Sequence, residues 1–312
     1  MPYQEPGTCR FYIHILEWLR TTIGYPSVGN KHFTLPVTPS GFGQYGYGLP
    51  TQLTTTDAMG DGNSNFIAVL GHNLISNEEN QGHYLSLSDT GNMVSIVNGF
   101  EGTSSDYTGV SCDGFSISTY QGKPTYIQLP PDSRIGSIII GTFYDMPHSA
   151  DLKISMERQM DGVQKVRTRG GNDLVDYRYH KPAMWGSLGA WELMNPVNAT
   201  DQDLQPLSRS GRRIWNLSFS YLQDSDVFPV SSSVNWEGVY PDSASNHNLL
   251  LQDDTFYGQV IHKTNGGQLP FIFQPDVNDN TNFAIAKFMN SFQFSQVANG
   301  VYNVKLKIKE VW

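Results

Sequence analysis

Histidine is the side chain that most often acts as a general base or a metal ligand near neutral pH, and the chain has eight of them. His72 follows an apolar run and a glycine, and His148 comes three residues after Asp145. Together with His83 they are the candidates for a metal or base site, provided that the fold brings them together. The alternative is that each ring binds nearby backbone and holds a loop, with Asp145 as the local acceptor for His148.

Paired carboxylates are the groups that glycoside hydrolysis requires. The sequence offers two adjacent pairs, Asp253-Asp254 and Glu78-Glu79. Neighbours on a strand point to opposite faces, and in loops they are usually solvated. The sequence also has no nucleophile elbow, P-loop, His-Glu-x-x-His or Cys-x-x-Cys motif, so we expect a protein that is not an enzyme.

One loop carries oxygen ligands at alternate positions, as a calcium site does. Asp276, Asn278 and Asn280 form this set, but the closing glutamate of an EF-hand is missing. Residues 57–63 form a second oxygen-rich turn. The alternative is a loop built on Asx turns that holds no metal, and we expect no other cofactor.

A basic cluster at 209–213 stands out in an acidic chain. A salt-bridged contact with an acidic neighbouring subunit explains it better than a phosphate or nucleic-acid site does. A solvated turn is the remaining alternative. Replacing Arg212 and Arg213 with glutamate is then expected to block assembly and to leave the isolated fold intact. The full set of candidate contact residues, chosen for large aromatic or arginine side chains, is Trp18, Tyr45, Tyr47, Arg212, Arg213 and Trp312.

Composition restricts the fold that positions these groups. Only 16% of the 312 residues are charged, 12% are aromatic, and there are 30 glycines and 17 prolines. This composition is typical of an all-β protein with long ordered loops rather than a helical bundle or a disordered chain. A net charge of −9 argues against nucleic-acid binding. We expect no membrane span, because no apolar run approaches the roughly 20 residues that one needs.

The pattern of apolar residues predicts one helix and many strands. Helical spacing at 10–20 predicts the helix, which Gly24 and Pro26 are expected to stop. The closing segment 301–311 alternates as a half-solvated strand. Segments 256–261 and 269–274 are expected to pair as strands. We divide the chain into a helix and extended arm (1–65), a β-sandwich (66–160), a turn-rich connector (161–204) and a C-terminal β domain (205–312). Within the connector, Gly170-Gly171 is expected to form a turn. The expected fold class is all-β, with two sandwich or jelly-roll-like domains.

Two stretches resemble structural proteins of tailed bacteriophages. Residues 66–74 (FIAVLGHNL), with the later strand at 135–142, resemble the opening of the galactose-binding-like sandwiches in such proteins. Residues 209–221 and 256–312 are similar to tail proteins of marine tailed phages, through the segments SGRR, KTNGG, LPFIFQPD and the terminal KIKEVW.

The resemblance implies a non-enzymatic virion component made in the host cytoplasm. The first expectation is a ring subunit of the tail tip or baseplate, such as a distal tail or adaptor protein, that contacts further copies of itself and neighbouring virion proteins. A carbohydrate-binding module of the tail, directed at a host surface glycan, is one alternative. A capsid decoration or connector protein is another.

Overall fold

A computed structural model describes a little over half of the chain, and all structural statements below concern these residues. They are 7–23, 52–54, 65–70, 85–88, 93–96, 102–103, 107–112, 115–120, 126–128, 137–151, 155–159, 163–177, 212–229, 254–280, 282–289 and 291–311.

The strands in chain order are β1 (Arg10–His14), β2 (Gln52–Thr54), β3 (Phe66–Leu70), β4 (Leu85–Ser88), β5 (Met93–Ile96), β6 (Gly102–Thr103), β7 (Tyr107–Cys112), β8 (Phe115–Tyr120), β9 (Tyr126–Gln128), β10 (Ser137–Asp145), β11 (Ser155–Gln159), β12 (Val163–Arg167), β13 (Asp173–Tyr177), β14 (Arg212–Gln223), β15 (Phe271–Gln274), β16 (Ala284–Phe288), β17 (Gln293–Ala298) and β18 (Val301–Glu310). The helical segments are α1 (Ile15–Ile23), α2 (Asp224–Val227) and a π-helix (Tyr257–His262).

The described strands form one large antiparallel sheet and two small ones. The large sheet has the order β11-β14-β18-β16-β15-β1-β10-β3-β8-β7-β6, with β17 also paired to β18. A four-stranded sheet has the order β2-β9-β4-β5, and β12 and β13 form a separate hairpin. The all-β class is therefore confirmed. Strands from the segments predicted as separate β domains belong to the same sheet, since β1 pairs with β10 on one side and β15 on the other.

Strand β1 occupies positions at which the sequence predicts a helix. The prediction of a helix over 10–20 is wrong for its first half: residues 10–14 are a strand, and the helix begins at Ile15 and ends at Ile23, one residue before the glycine expected to stop it. Both faces of β1 are covered, so its central residues Phe11, Tyr12 and Ile13 are apolar without alternation. A short run of this kind has the same appearance in a buried strand and in a helix.

The large sheet separates two hydrophobic cores. Phe11 of β1 faces one core and contacts the rings of Phe271, Phe273 and Phe288 at centroid distances of 5.3–5.8 Å. Tyr12, the next residue, faces the other core and meets Phe66 at 5.0 Å. The period-2 geometry of a strand therefore lets one buried segment contribute to both cores.

In the C-terminal half, the structure confirms the predicted closing strand and contradicts one predicted pair of strands. The closing strand β18 alternates as predicted, with Val304, Leu306 and Ile308 buried and Lys305 exposed. The expected pairing of 256–261 with 269–274 is wrong, because residues 257–262 form the π-helix. Buried Val260 and Ile261 belong to the first core, so the burial that the sequence indicates is real although the element type differs.

Candidate interaction surfaces

The hairpin β12–β13 is exposed on both of its faces. Its register pairs Val166 with Leu174 and Arg167 with Asp173. Val166 and Leu174 remain 61% and 63% exposed, respectively. A two-stranded hairpin without a third strand or a covering helix is only marginally stable in water. Exposed apolar side chains on such an element are therefore a candidate contact with another protein.

A tight loop fixes the register of this hairpin. The Thr168 backbone N–H donates to the Asn172 carbonyl at 2.7 Å, and the Asn172 N–H donates to the Thr168 hydroxyl at 3.1 Å. Gly171 takes a φ of +84°, a conformation that glycine adopts without steric cost. The turn predicted at Gly170-Gly171 is confirmed. The predicted turn-rich connector 161–204 thus begins with a β-hairpin, which its weak alternation did not reveal.

Charge is segregated between the two strands of the hairpin. Strand β12 carries Lys165 and Arg167, and β13 carries Asp173 and Asp176. One diagonal ion pair within the hairpin joins Lys165 Nζ to Asp173 Oδ2 at 2.6 Å. One edge of the hairpin is basic and the other is acidic, so each edge is complementary to the opposite edge of an identical hairpin.

Arg213, a predicted subunit contact, is buried within the chain. Its guanidinium donates to both carboxylate oxygens of Glu310 at 3.1 Å, to Asn282 Oδ1 at 2.8 Å and to the Phe283 carbonyl at 2.5 Å. The two charged side chains are 6% and 4% exposed. This geometry corrects the expectation that Arg213 reaches a neighbour, and that its replacement by glutamate leaves the fold intact. Arg212, the preceding residue on β14, is half-buried.

The remaining predicted contact residues are distributed differently. Trp18 on α1 is buried and meets the His262 ring edge to face at 5.3 Å, so it contributes to the interior rather than to a free surface. Burial, followed by the nearby Lys263 charge, lowers the pKa of His262. Tyr45, Tyr47 and Trp312 lie outside the described residues.

The loop proposed for calcium is organised by Asp276. Its Oδ1 accepts the backbone N–H of Asn278 at 2.8 Å, which is an Asx turn, and the N–H of Gly7 at 3.1 Å. The Val277 N–H donates to the Thr8 carbonyl at 3.0 Å, so the loop also anchors the segment before β1. Within the described ranges no group of three His, Cys, Asp or Glu side chains could hold a metal ion. Calcium binding by Asp276, Asn278 and Asn280 stays a prediction; residues 57–63 lie outside the described residues.

Asp145 is paired with arginine rather than with histidine. Arg10 donates to its two carboxylate oxygens at 2.5 and 2.7 Å, across the β1–β10 pair. His148 instead donates from Nδ1 to the Ser149 carbonyl at 2.8 Å and packs against Phe219. His148 therefore holds a loop, as the alternative interpretation expected, although the acceptor differs; His72 and His83 are outside the described residues.

Burial, reinforced by Asp145, raises the pKa of the Cys9 thiol, which keeps it protonated.

Four aromatic rings distant in the sequence form a partly exposed cluster beside α2. Phe228 lies at its centre, 4.9 Å from Phe294, 5.2 Å from Tyr302 and 6.2 Å from Tyr257. Tyr257 is 39% exposed, and Asp224 lies close enough to raise the pKa of Tyr302 in addition to the effect of desolvation. No local motif could have revealed this cluster, because its members come from four separate elements.

Comparisons of the chain with protein-family models, with curated proteins and with solved structures find no match. No helix in the described part of the chain has the length and apolarity needed to cross a membrane.

Proposed function

We propose that the protein is a structural subunit of a tailed-phage virion, acting as a ring component of the tail tip or baseplate. The observation that supports assembly is the β12–β13 hairpin, which exposes Val166 and Leu174 and carries opposite charges on its two edges. The resemblance of residues 66–74, 209–221 and 256–312 to structural proteins of tailed phages supports the location.

The physical reason is mass action. A subunit that binds its neighbours gains stability from each contact that the unfolded chain cannot make. It can therefore keep an element such as β12–β13 that its own core does not cover. Residues on that element are exposed in a single copy and become buried when the particle assembles.

The test is immunogold labelling of phage particles with an antibody raised against the full chain. Gold at the tail end supports the proposal. Gold over the head places the protein in the capsid, as a decoration or connector protein, and rejects the tail assignment. Particles without gold, with the protein free in the lysate, reject a virion role altogether.

A second candidate function is binding of a host surface glycan by the aromatic cluster at Phe228. Aromatic faces beside a carboxylate suit a sugar ring, whose C–H groups pack on the aromatic faces and whose hydroxyls donate to the carboxylate. The cluster provides Tyr257 as the exposed ring and Asp224 as the acceptor.

A glycan array with the full chain tests this candidate. Binding that Tyr257→Ala abolishes and Leu174→Ala preserves supports it, because Leu174 is an even more exposed apolar residue on the separate hairpin. Absence of binding to any glycan, or binding unaffected by Tyr257→Ala, rejects it.

A further inference from the structure

We propose that copies of the chain join head to tail, with β12 of one copy pairing along β13 of the next. This inference rests on the proposed function as an assembling subunit, and it names the contact and its symmetry. The partner is a second copy of this chain.

Both strands of the hairpin have an outer edge that no described strand occupies. In the described part of the chain, β12 pairs only with β13, and β13 only with β12. The outer N–H and C=O groups of each strand therefore form a template for one more strand. Strand addition satisfies these groups and supplies the third strand that an isolated hairpin lacks.

The charges decide which strand is added. Pairing β12 with β12 of another copy would place Lys165 and Arg167 beside the same two cations. Pairing β13 with β13 would place Asp173 and Asp176 beside two carboxylates. Like charges on neighbouring strands are destabilising and opposite charges are stabilising. Only β12 against β13 brings the cations to a carboxylate on their own face of the sheet, that of Asp173, because Asp176 lies on the other face opposite Gln164.

The register inside the hairpin extends naturally to the next copy. Repeating it by translation across the strands keeps the sheet antiparallel and places Asp173 opposite Arg167 of the next copy. The same translation places Leu174 opposite Val166 of the next copy. Val166 and Leu174 are the two most exposed large aliphatic residues among the described ones. The contact that pairs the charges therefore also removes these two side chains from water.

The symmetry of the assembly follows from the use of two different edges. A contact between unlike surfaces is heterologous, so it closes into a ring or continues as a filament, and it does not stop at a two-fold dimer. Each copy in a closed ring then uses one basic edge and one acidic edge.

Charge reversal of one edge at a time tests the contact. The first variant, Lys165→Glu with Arg167→Glu, has two acidic edges, and the second, Asp173→Lys with Asp176→Lys, has two basic edges. We expect each alone to associate about tenfold more weakly than the natural chain, or worse, in sedimentation velocity over a concentration series. An equimolar mixture should recover assembly, because the acidic β12 of one variant meets the basic β13 of the other.

The mixture shows whether the variants lose assembly through the contact between copies or through a less stable hairpin. Both variants carry like charges inside their own hairpin, including the loss of the Lys165–Asp173 pair. Mixing leaves that internal repulsion in place, so recovery on mixing reports only the contact between copies. Lys305→Glu, at an exposed lysine of β18, is the control for a change of net charge and should assemble normally.

Three results overturn the inference. If the natural chain assembles and both reversed variants assemble equally well, the contact lies elsewhere while the proposed function stands. If both variants lose assembly and the mixture does not regain it, the hairpin acts only through its own folding. If the natural chain remains a monomer at every concentration, the inference is overturned. If the antibody against the chain also fails to label phage particles, the proposed function fails as well.

Discussion

Removing either partner of the buried pair Arg213–Glu310 should destabilise the fold severely. The side chains are 6% and 4% exposed, so the remaining charge would stay in the interior without its counterion. Breaking a buried pair in this way costs about 3–5 kcal/mol, because the loss of the partner leaves an uncompensated charge. We expect that reduction in the free energy of unfolding for Arg213→Met and for Glu310→Met.

The double variant separates charge burial from packing. With both charges gone, the position 213 backbone N–H loses its acceptor, Glu310 Oε2 at 3.0 Å, and Asn282 Oδ1 and the Phe283 carbonyl each lose a donor. Leaving a buried polar group of this kind unsatisfied costs about 1–3 kcal/mol. The double variant should therefore lose about as much as one single variant, and not the sum of about 6–10 kcal/mol.

The assay is urea unfolding followed by tryptophan fluorescence and by circular dichroism, with Lys305→Met as an exposed control on the same strand as Glu310. Single variants that lose less than about 1 kcal/mol would show that the pair behaves as a surface ion pair, and would refute the reasoning. A double variant that loses the full sum would assign the cost to packing instead.

Three further predictions concern the backbone and pH. Gly141→Ala should prevent folding to the native state, measured as loss of soluble protein with native circular dichroism, because the new Cβ would overlap the Ile13 carbonyl of the neighbouring strand. Tyr221, exposed and at a φ of 63°, should tolerate glycine with a gain of up to about 1 kcal/mol in urea unfolding, and alanine should give no such gain. His262 has a pKa below its ordinary 6.5, so the native state binds fewer protons than the unfolded state just below that pH, and stability rises with pH. The urea midpoint should climb as the pH rises toward about 7, and His262→Phe should flatten that climb; an unchanged slope would exclude His262 as its source.

Local features of the sequence were sufficient for the fold class and for several elements. The low charge, the many glycines and the short apolar runs predict an all-β chain, and the alternation in residues 301–310 predicts β18 with its buried Val304, Leu306 and Ile308. The Gly170-Gly171 turn is likewise local, because it depends on backbone conformations that few other residues adopt. These features are visible in the sequence since each depends on neighbouring residues alone.

Tertiary structure decided the role of the residues whose partners are distant. Arg213 is separated from Glu310 by 97 positions, so no spacing rule could tell a buried ion pair from a surface contact. Residues 10–14 form a strand because β10 and β15 cover both of its edges, and the same apolar residues without those neighbours fit a helix equally well. The sequence alone indicated which apolar segments avoid water. Long-range pairing determined the burial of charged residues such as Arg213, and the element, partner and face of each residue, because those depend on contacts that form only when distant segments meet.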